Sequence, residues 1–224
     1  MKTVYTTLLL CSSALMATAA DTWGGAFALG PTTANIIEST TTIVPGEAPP
    51  TQNGVLFLWP GMSNGTGDLV QTCLEQHQDN SWCGAGKGEW CVRASVFGWF
   101  GQRDGQAAVV KGSDAVTIHY KLGEDKMTWT QTVTIDGKVV STLDSASGPY
   151  MKGWGTGTEC NEGCNGTISA QKYTNTTIVL DAPDARFDST RSSGNGVTFT
   201  DMVSEEGGKV WKIETIDIAP MVEA

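Results

Sequence analysis

Gln71 sits inside an otherwise apolar run, Leu69-Val70-Gln71-Thr72, and is the polar side chain from which chemistry is most directly argued. An amide buried without partners costs about 1–3 kcal/mol. It must therefore bridge two strands or face a hollow where it meets a ligand. The other chemistry-bearing residues are scattered. The two histidines are His77, in a polar loop, and His119, on the polar side of an alternating strand, and neither is placed as the base of a serine triad. His119 and Lys121 share one strand face and would suit an acidic sugar, but Tyr120 points the other way. Asp181, Asp184 and Asp188 make an acid-rich stretch without the fixed spacing of a calcium loop. Trp82, Trp90, Trp99 and Trp154 stand near glycines and turns, where an indole lines a groove for sugars or a flat organic ligand, or else fills a core. Trp129 and Trp211, on alternating strands, read as core.

The elements that must position these groups are strands. From Gly54 to Glu75, two apolar runs flank a Pro-Gly and Asn-Gly-Thr-Gly turn region, the pattern of two buried strands joined by a loop. Val116, Ile118, Tyr120 and Leu122 alternate with polar residues, and so does the run from Met127 to Ile135. Asp136-Gly137 then closes a two-residue hairpin leading to Val139–Leu143. Further strands are expected at Trp90–Phe100, Thr167–Tyr173, Thr176–Asp181, Val197–Val203 and Lys209–Ile218. About ten short strands with almost no helical periodicity predict an all-β fold, a two-sheet antiparallel β-sandwich of jelly-roll or concanavalin-like type. Asp21 to Asn53, rich in Thr, Pro and Gly, reads as one early strand near Trp23–Ala28 plus an irregular surface wrap. The expected organisation is a signal peptide over 1–20, the strand and wrap over 21–53, and the sandwich over 54–224, the last two forming one domain.

Composition bounds the rest. Lys2, an apolar stretch through Leu8-Leu9-Leu10 and a small-residue end at Ala17-Thr18-Ala19-Ala20 have the layout of a cleavable secretory signal. A net charge of -10 argues against nucleic acid, and no later run is long and apolar enough for a membrane helix. Asn64, Asn165 and Asn175 each open a glycosylation sequon. Without Cys11, which lies in the leader, five cysteines remain, implying two disulfides and one odd thiol. Cys160 and Cys164 are the natural local pair, and Cys83 pairs with either Cys91 or Cys73. Two histidines and an oxidising compartment make zinc the weaker reading of the cysteines. No cofactor or metal is expected, and the oligomeric state is not legible.

Trp59-Pro60-Gly61 followed by Leu69-Val70-Gln71-Thr72 resembles the eqolisins, the secreted fungal glutamic peptidases, in which a Trp-Val-Gly strand end precedes a Leu-Gln-Thr-Gly strand. The resemblance implies a two-sheet sandwich with a catalytic Gln and Glu on one sheet's concave face, the Gln at Gln71. The family's Glu follows a tryptophan in a Trp-Ile-x-Glu context. Here the comparable stretch is Gly153-Trp154-Gly155-Thr156-Gly157-Thr158-Glu159, glycine-rich and loop-like, which makes Glu159 the candidate; Glu89 beside Trp90 is another. In such a pair the carboxylic acid activates water and then protonates the leaving nitrogen, while the amide donates to the developing oxyanion.

The expected function is therefore a secreted acid-base enzyme of glutamic-peptidase-like type, working in a groove near Gln71 with Trp59, Trp90 and Trp154 binding substrate. Two other classes fit the same residues. One is a non-catalytic carbohydrate- or cell-wall-binding module, and the other an isomerase or cyclase acting on a small metabolite of a fungal biosynthetic pathway. The expected ligand is a polypeptide, a glycan or a small organic molecule.

Overall fold

The computed structural model describes residues 21–65, 67–164 and 166–223; the expected leader and Asn165 lie outside them. In chain order the strands are β1 Thr22–Trp23, β2 Phe27–Leu29, β3 Ile36–Val44, β4 Val55–Ser63, β5 Leu69–Gln76, β6 Trp90–Gly98, β7 Gly101–Asp104, β8 Ala108–Val110, β9 Val116–Leu122 and β10 Trp129–Ile135. They continue as β11 Lys138–Ser145, β12 Gly153–Asn161, β13 Gly166–Ile168, β14 Gln171–Leu180, β15 Ser192–Ser193, β16 Val197–Phe199, β17 Val203–Glu205, β18 Val210–Ile218 and β19 Met221–Glu223. One sheet runs β15-β2-β12-β4-β5-β6-β7, with β1 on β12 and β8 on β6; the other runs β11-β10-β9-β3-β14-β18-β16, with β17 on β18. All of these pairings are antiparallel. This is the expected sandwich.

Alternation decides what each sheet buries. Val70 and Leu74 of β5, Leu58 and Met62 of β4 and Trp154 of β12 point between the sheets, where they meet Ile43, Ile118, Tyr120 and Ile178 of the other layer. The intervening residues of the first sheet point outward, and there Trp59 and Cys73 form a second, smaller cluster with Trp23 and Phe57 packed against it. The first sheet thus buries residues on both faces. Pro60 lies within β4, a central strand, where a missing N–H interrupts the ladder to β5 between Leu58 and Gly61. The Tyr120 hydroxyl crosses from the opposite sheet and donates to the Pro60 carbonyl at 2.8 Å.

Thr167–Tyr173 and Thr176–Asp181, expected as two strands, largely merge into β14, which carries a register shift between Thr174 and Thr177. Two further stretches differ more from their sequence expectation. Ile36–Val44 is a nine-residue strand paired with β9 and β14 at the centre of the second sheet, not a surface wrap. Its Thr residues look like loop composition, yet Thr is β-branched and suits a pleated surface. Gly153–Asn161 is likewise a central strand rather than a loop. Its glycines serve close packing, as described below.

Asp184 ties the Phe187–Thr190 turn to the start of the fold by accepting from the Thr32 hydroxyl at 2.9 Å and the Thr33 N–H at 2.8 Å. Burial pushes its carboxyl up, but the bonds from Thr33, Thr32 and the Arg186 N–H outweigh that and hold it at about 2. A pKa depressed on folding gives stability that is full above the ordinary value of 3.8 and is lost as the pH falls through about 2. Thermal unfolding across that window is expected to show a shallower acid loss for Asp184→Asn than for the wild type. Parallel curves would remove Asp184 from the acid response.

Candidate functional site: the outer face of the first sheet

Register fixes which side chains share the outer face. In one row Gly155 of β12, Gly61 of β4, Gln71 of β5, Ser95 of β6 and Asp104 of β7 lie side by side. Gln71 is fully buried, and neither its amide nitrogen nor its oxygen has a hydrogen-bond partner. On one side its row is two glycines deep. On the other, Ser95 accepts from the Gln102 amide at 3.0 Å, and that amide also donates to Asp104 at 3.1 Å. Gln71 therefore stands between two glycines, with the Leu69 side chain over Gly61, and a polar wall already bonded to itself.

Four residues along the strands, a second row carries Trp23, Glu159, Phe57, Glu75 and Cys91. Glu75 is fully buried and receives Arg93 Nε at 2.7 Å, Arg93 Nη2 at 3.0 Å and His77 Nε2 at 2.8 Å. Arg93 reaches on to Asp104 at 2.9 Å. Burial works to lower the guanidinium pKa, but the bond and charge of Glu75, with the charge of Asp104, raise it. Trp82 caps this cluster, with Arg93 lying 4.8 Å over its ring and His77 edge-on at 5.6 Å. The loop carrying Trp82 is pinned by the Cys83–Cys91 disulfide. Cys160–Cys164 is the second bridge, and Cys73 is in neither.

Glu159 is also fully buried and accepts from Trp59 Nε1 at 3.1 Å. The indole reaches it by lying over Gly157, where a Cβ would stand 2.8 Å from Cζ2 and 2.9 Å from Cε2. That is the physical use of a glycine-rich strand at this point. Gly157→Ala is expected to displace the ring, break the bond to Glu159 and cost about 1–3 kcal/mol. A lowered melting temperature with altered tryptophan fluorescence checks this; an unchanged spectrum contradicts it.

Gln71 and Glu159 share the outer face, but the structure does not bring them together. Four residues at about 3.3 Å and two strand spacings of about 4.8 Å put their Cα atoms roughly 16 Å apart. The outward positions of β12 nearer Gln71 are Gly153, Gly155 and Gly157, without side chains. Glu89 turns into its own loop, accepting from the Gly86 N–H at 2.8 Å. Trp59 lies on the outer face with Gln71. Trp90 and Trp154 are core residues on the opposite face, so they do not share a face with Gln71; Trp90 donates to the Gly46 carbonyl at 2.8 Å, and Trp154 packs edge-on against Phe27.

Elsewhere, His119 lies 2.7 Å from the Glu38 carboxylate on the second sheet, and Asp181 is held by Asn35. Among the described residues no group of three or more His, Cys, Asp or Glu is placed to hold a metal ion, and no helix is long and apolar enough to cross a membrane. Asn175 is exposed with φ +53°, and Asn64 accepts from the Gly67 N–H in its turn. Sequence reasoning missed Glu75, Arg93 and Asp104. The one signal for Glu75 and Arg93 was period two, since Gln71, Cys73, Glu75 and His77 fall on alternate positions, as do Cys91, Arg93 and Ser95, and Asp104 had none.

No protein-family model matches the sequence, and no curated protein matches it. The fold belongs to the class of two-sheet sandwiches found in the eqolisin peptidases. In particular, scytalidoglutamic peptidase with a transition-state-analogue inhibitor superposes with a TM-score of 0.53 at 14% identity, covering 86% of this chain and 97% of that one. The same enzyme with a peptide-based transition-state analogue gives 0.52 at 15% identity over 86% and 97%. SCP-B, an eqolisin bound to the tripeptide Ala-Ile-His, gives 0.50 at 13% identity over 86% and 96%. At such identities the likeness is one of fold.

Proposed function

We propose that the outer face of the first sheet binds an extended polypeptide and that Gln71 holds the ligand backbone. The observation that carries this reading is the Gln71 side chain, fully buried with both amide atoms unpaired beside Gly61 and Gly155. A primary amide donates and accepts at once, which is what a peptide group offers in return. The solved proteins that share the fold hold a peptide-based analogue and a tripeptide, which supports a polypeptide as the ligand class. The two disulfides support an exported protein, because such bridges persist in oxidising compartments.

A hydrolytic form of the reading makes Gln71 the oxyanion donor and Glu159 the acid and base. Its support is the fold of the peptidases. Against it stands the spacing, since one water cannot touch an amide and a carboxylate on Cα atoms roughly 16 Å apart. Binding without hydrolysis is therefore favoured. The test is to incubate the protein with a denatured polypeptide at acidic pH, following both association and cleavage. Association lost in Gln71→Leu, with no cleavage by the wild type, supports the binding reading. Cleavage that Glu159→Gln abolishes supports the hydrolytic one, and association unchanged in Gln71→Leu overturns both.

A further inference from the structure

Three of the large apolar side chains exposed on the described surface gather at one end of the sandwich: Trp99 at 96% exposure, Tyr150 at 63% and Met127 at 49%. Trp99 is at the tip of the β6–β7 hairpin, Met127 in the turn between β9 and β10, and Tyr150 in the segment between β11 and β12. Contacts join the three loops. The Gly148 N–H donates to the Met127 carbonyl at 2.9 Å, and the Ser147 hydroxyl donates to Asp68 at 2.8 Å. The same Asp68 carboxylate lies against Gly98, where a Cβ would meet its Oδ1 at 2.5 Å.

The hairpin tip is braced rather than loose. Phe100 meets the Trp99 ring edge-on at 5.9 Å, and the Arg103 guanidinium covers Phe100 at 4.4 Å. Gly101, at φ +86°, supplies the left-handed residue that lets the chain turn back. An indole held out in water by its own supports forgoes the burial such rings normally find. Hydrogen-bonding groups stand in the same loops: Asp68 and Ser147 bond to each other beside the base of the Trp99 hairpin, and Arg103 covers Phe100 within it.

We propose that this end is a second binding surface, separate from the outer face of the first sheet, and that it takes a neutral polysaccharide. Indole and phenol faces stack on the C–H faces of pyranose rings, as they do on other flat partners. The Asp68 carboxylate accepts from sugar hydroxyls and the Arg103 guanidinium donates to them. A protein partner would favour a continuous apolar centre with its polar groups at the rim. An anionic lipid surface would need a basic patch, and this chain carries a net charge of -10.

The test is affinity electrophoresis of the purified protein, before and after endoglycosidase treatment, in gels containing soluble β-glucan, xylan or mannan. Flotation with anionic and zwitterionic vesicles runs in parallel. The expected result is retardation by at least one of the three polysaccharides, weakened about tenfold in Trp99→Ala and further in the Trp99→Ala/Tyr150→Ala double variant. Peptide association at the outer face should be unchanged in Trp99→Ala. Retardation by none of them, retardation equal in the double variant and the wild type, or flotation without retardation overturns the proposal.

Discussion

Arg93→Ala is expected to unfold roughly 10 °C below the wild type. Glu75 is a carboxylate with no solvent exposure, and Arg93 supplies two of its three side-chain contacts. Removing one partner of a buried pair leaves an uncompensated charge, which typically costs about 3–5 kcal/mol. For a chain of this size each kcal/mol moves the melting temperature by about 2–4 °C. The loss is not spread evenly. Trp82 rests against Arg93 and His77, so its loop keeps the Cys83–Cys91 anchor but loses its inner support. Adding Glu75→Gln to Arg93→Ala should recover much of the stability, because the buried group is then neutral. Calorimetry of the three variants measures this, and a double variant no more stable than Arg93→Ala would show that packing, not charge, is what the arginine supplies.

Gln71→Leu is expected to do two opposite things. A buried amide with no partner on either atom carries a standing cost of about 1–3 kcal/mol, which a leucine of similar size removes. The variant should therefore melt several degrees higher than the wild type. It should also bind polypeptide at least tenfold more weakly, since a ligand peptide group entering beside Gly61 and Gly155 would meet no donor and no acceptor. Stability gained where function is lost is the mark of a polar group kept for its ligand rather than for the fold. If Gln71→Leu instead lowers the melting temperature by several degrees, the amide is structural.

The sandwich was largely legible in the sequence. The alternation of Val116–Leu122 and of Trp129–Ile135 marked two strands, and Asp136-Gly137 turns with φ +51° and +73° between Ile135 and Lys138, as that dipeptide should. The central strands Ile36–Val44 and Gly153–Asn161 were not legible, for opposite reasons. In the first, threonine disguises a half-buried strand as loop composition. In the second, glycine reads as a turn because what it accommodates, the Trp59 ring, comes from about 100 residues earlier.

The site divides in the same way. Gln71 and Trp59 stood out because each breaks or ends an apolar run, a local signal. Glu75 and Arg93 did not, since a carboxylate at a strand end looks solvated until its partner 18 residues away is folded beside it. Trp90 and Trp154 read as groove residues from their glycine neighbours, yet both point into the core. Which face of a strand a residue takes depends on the parity of the register, and composition carries no trace of it.

The central claim is that the Gln71 amide is held unpaired for a ligand. Its two side-chain N–H resonances, followed by 15N-edited NMR while a denatured polypeptide is titrated in, report on it directly. The account predicts that both resonances shift as the complex forms, because the buried amide exchanges an unpaired state for hydrogen bonds to the ligand backbone. Resonances that stay in place while the polypeptide binds would contradict it.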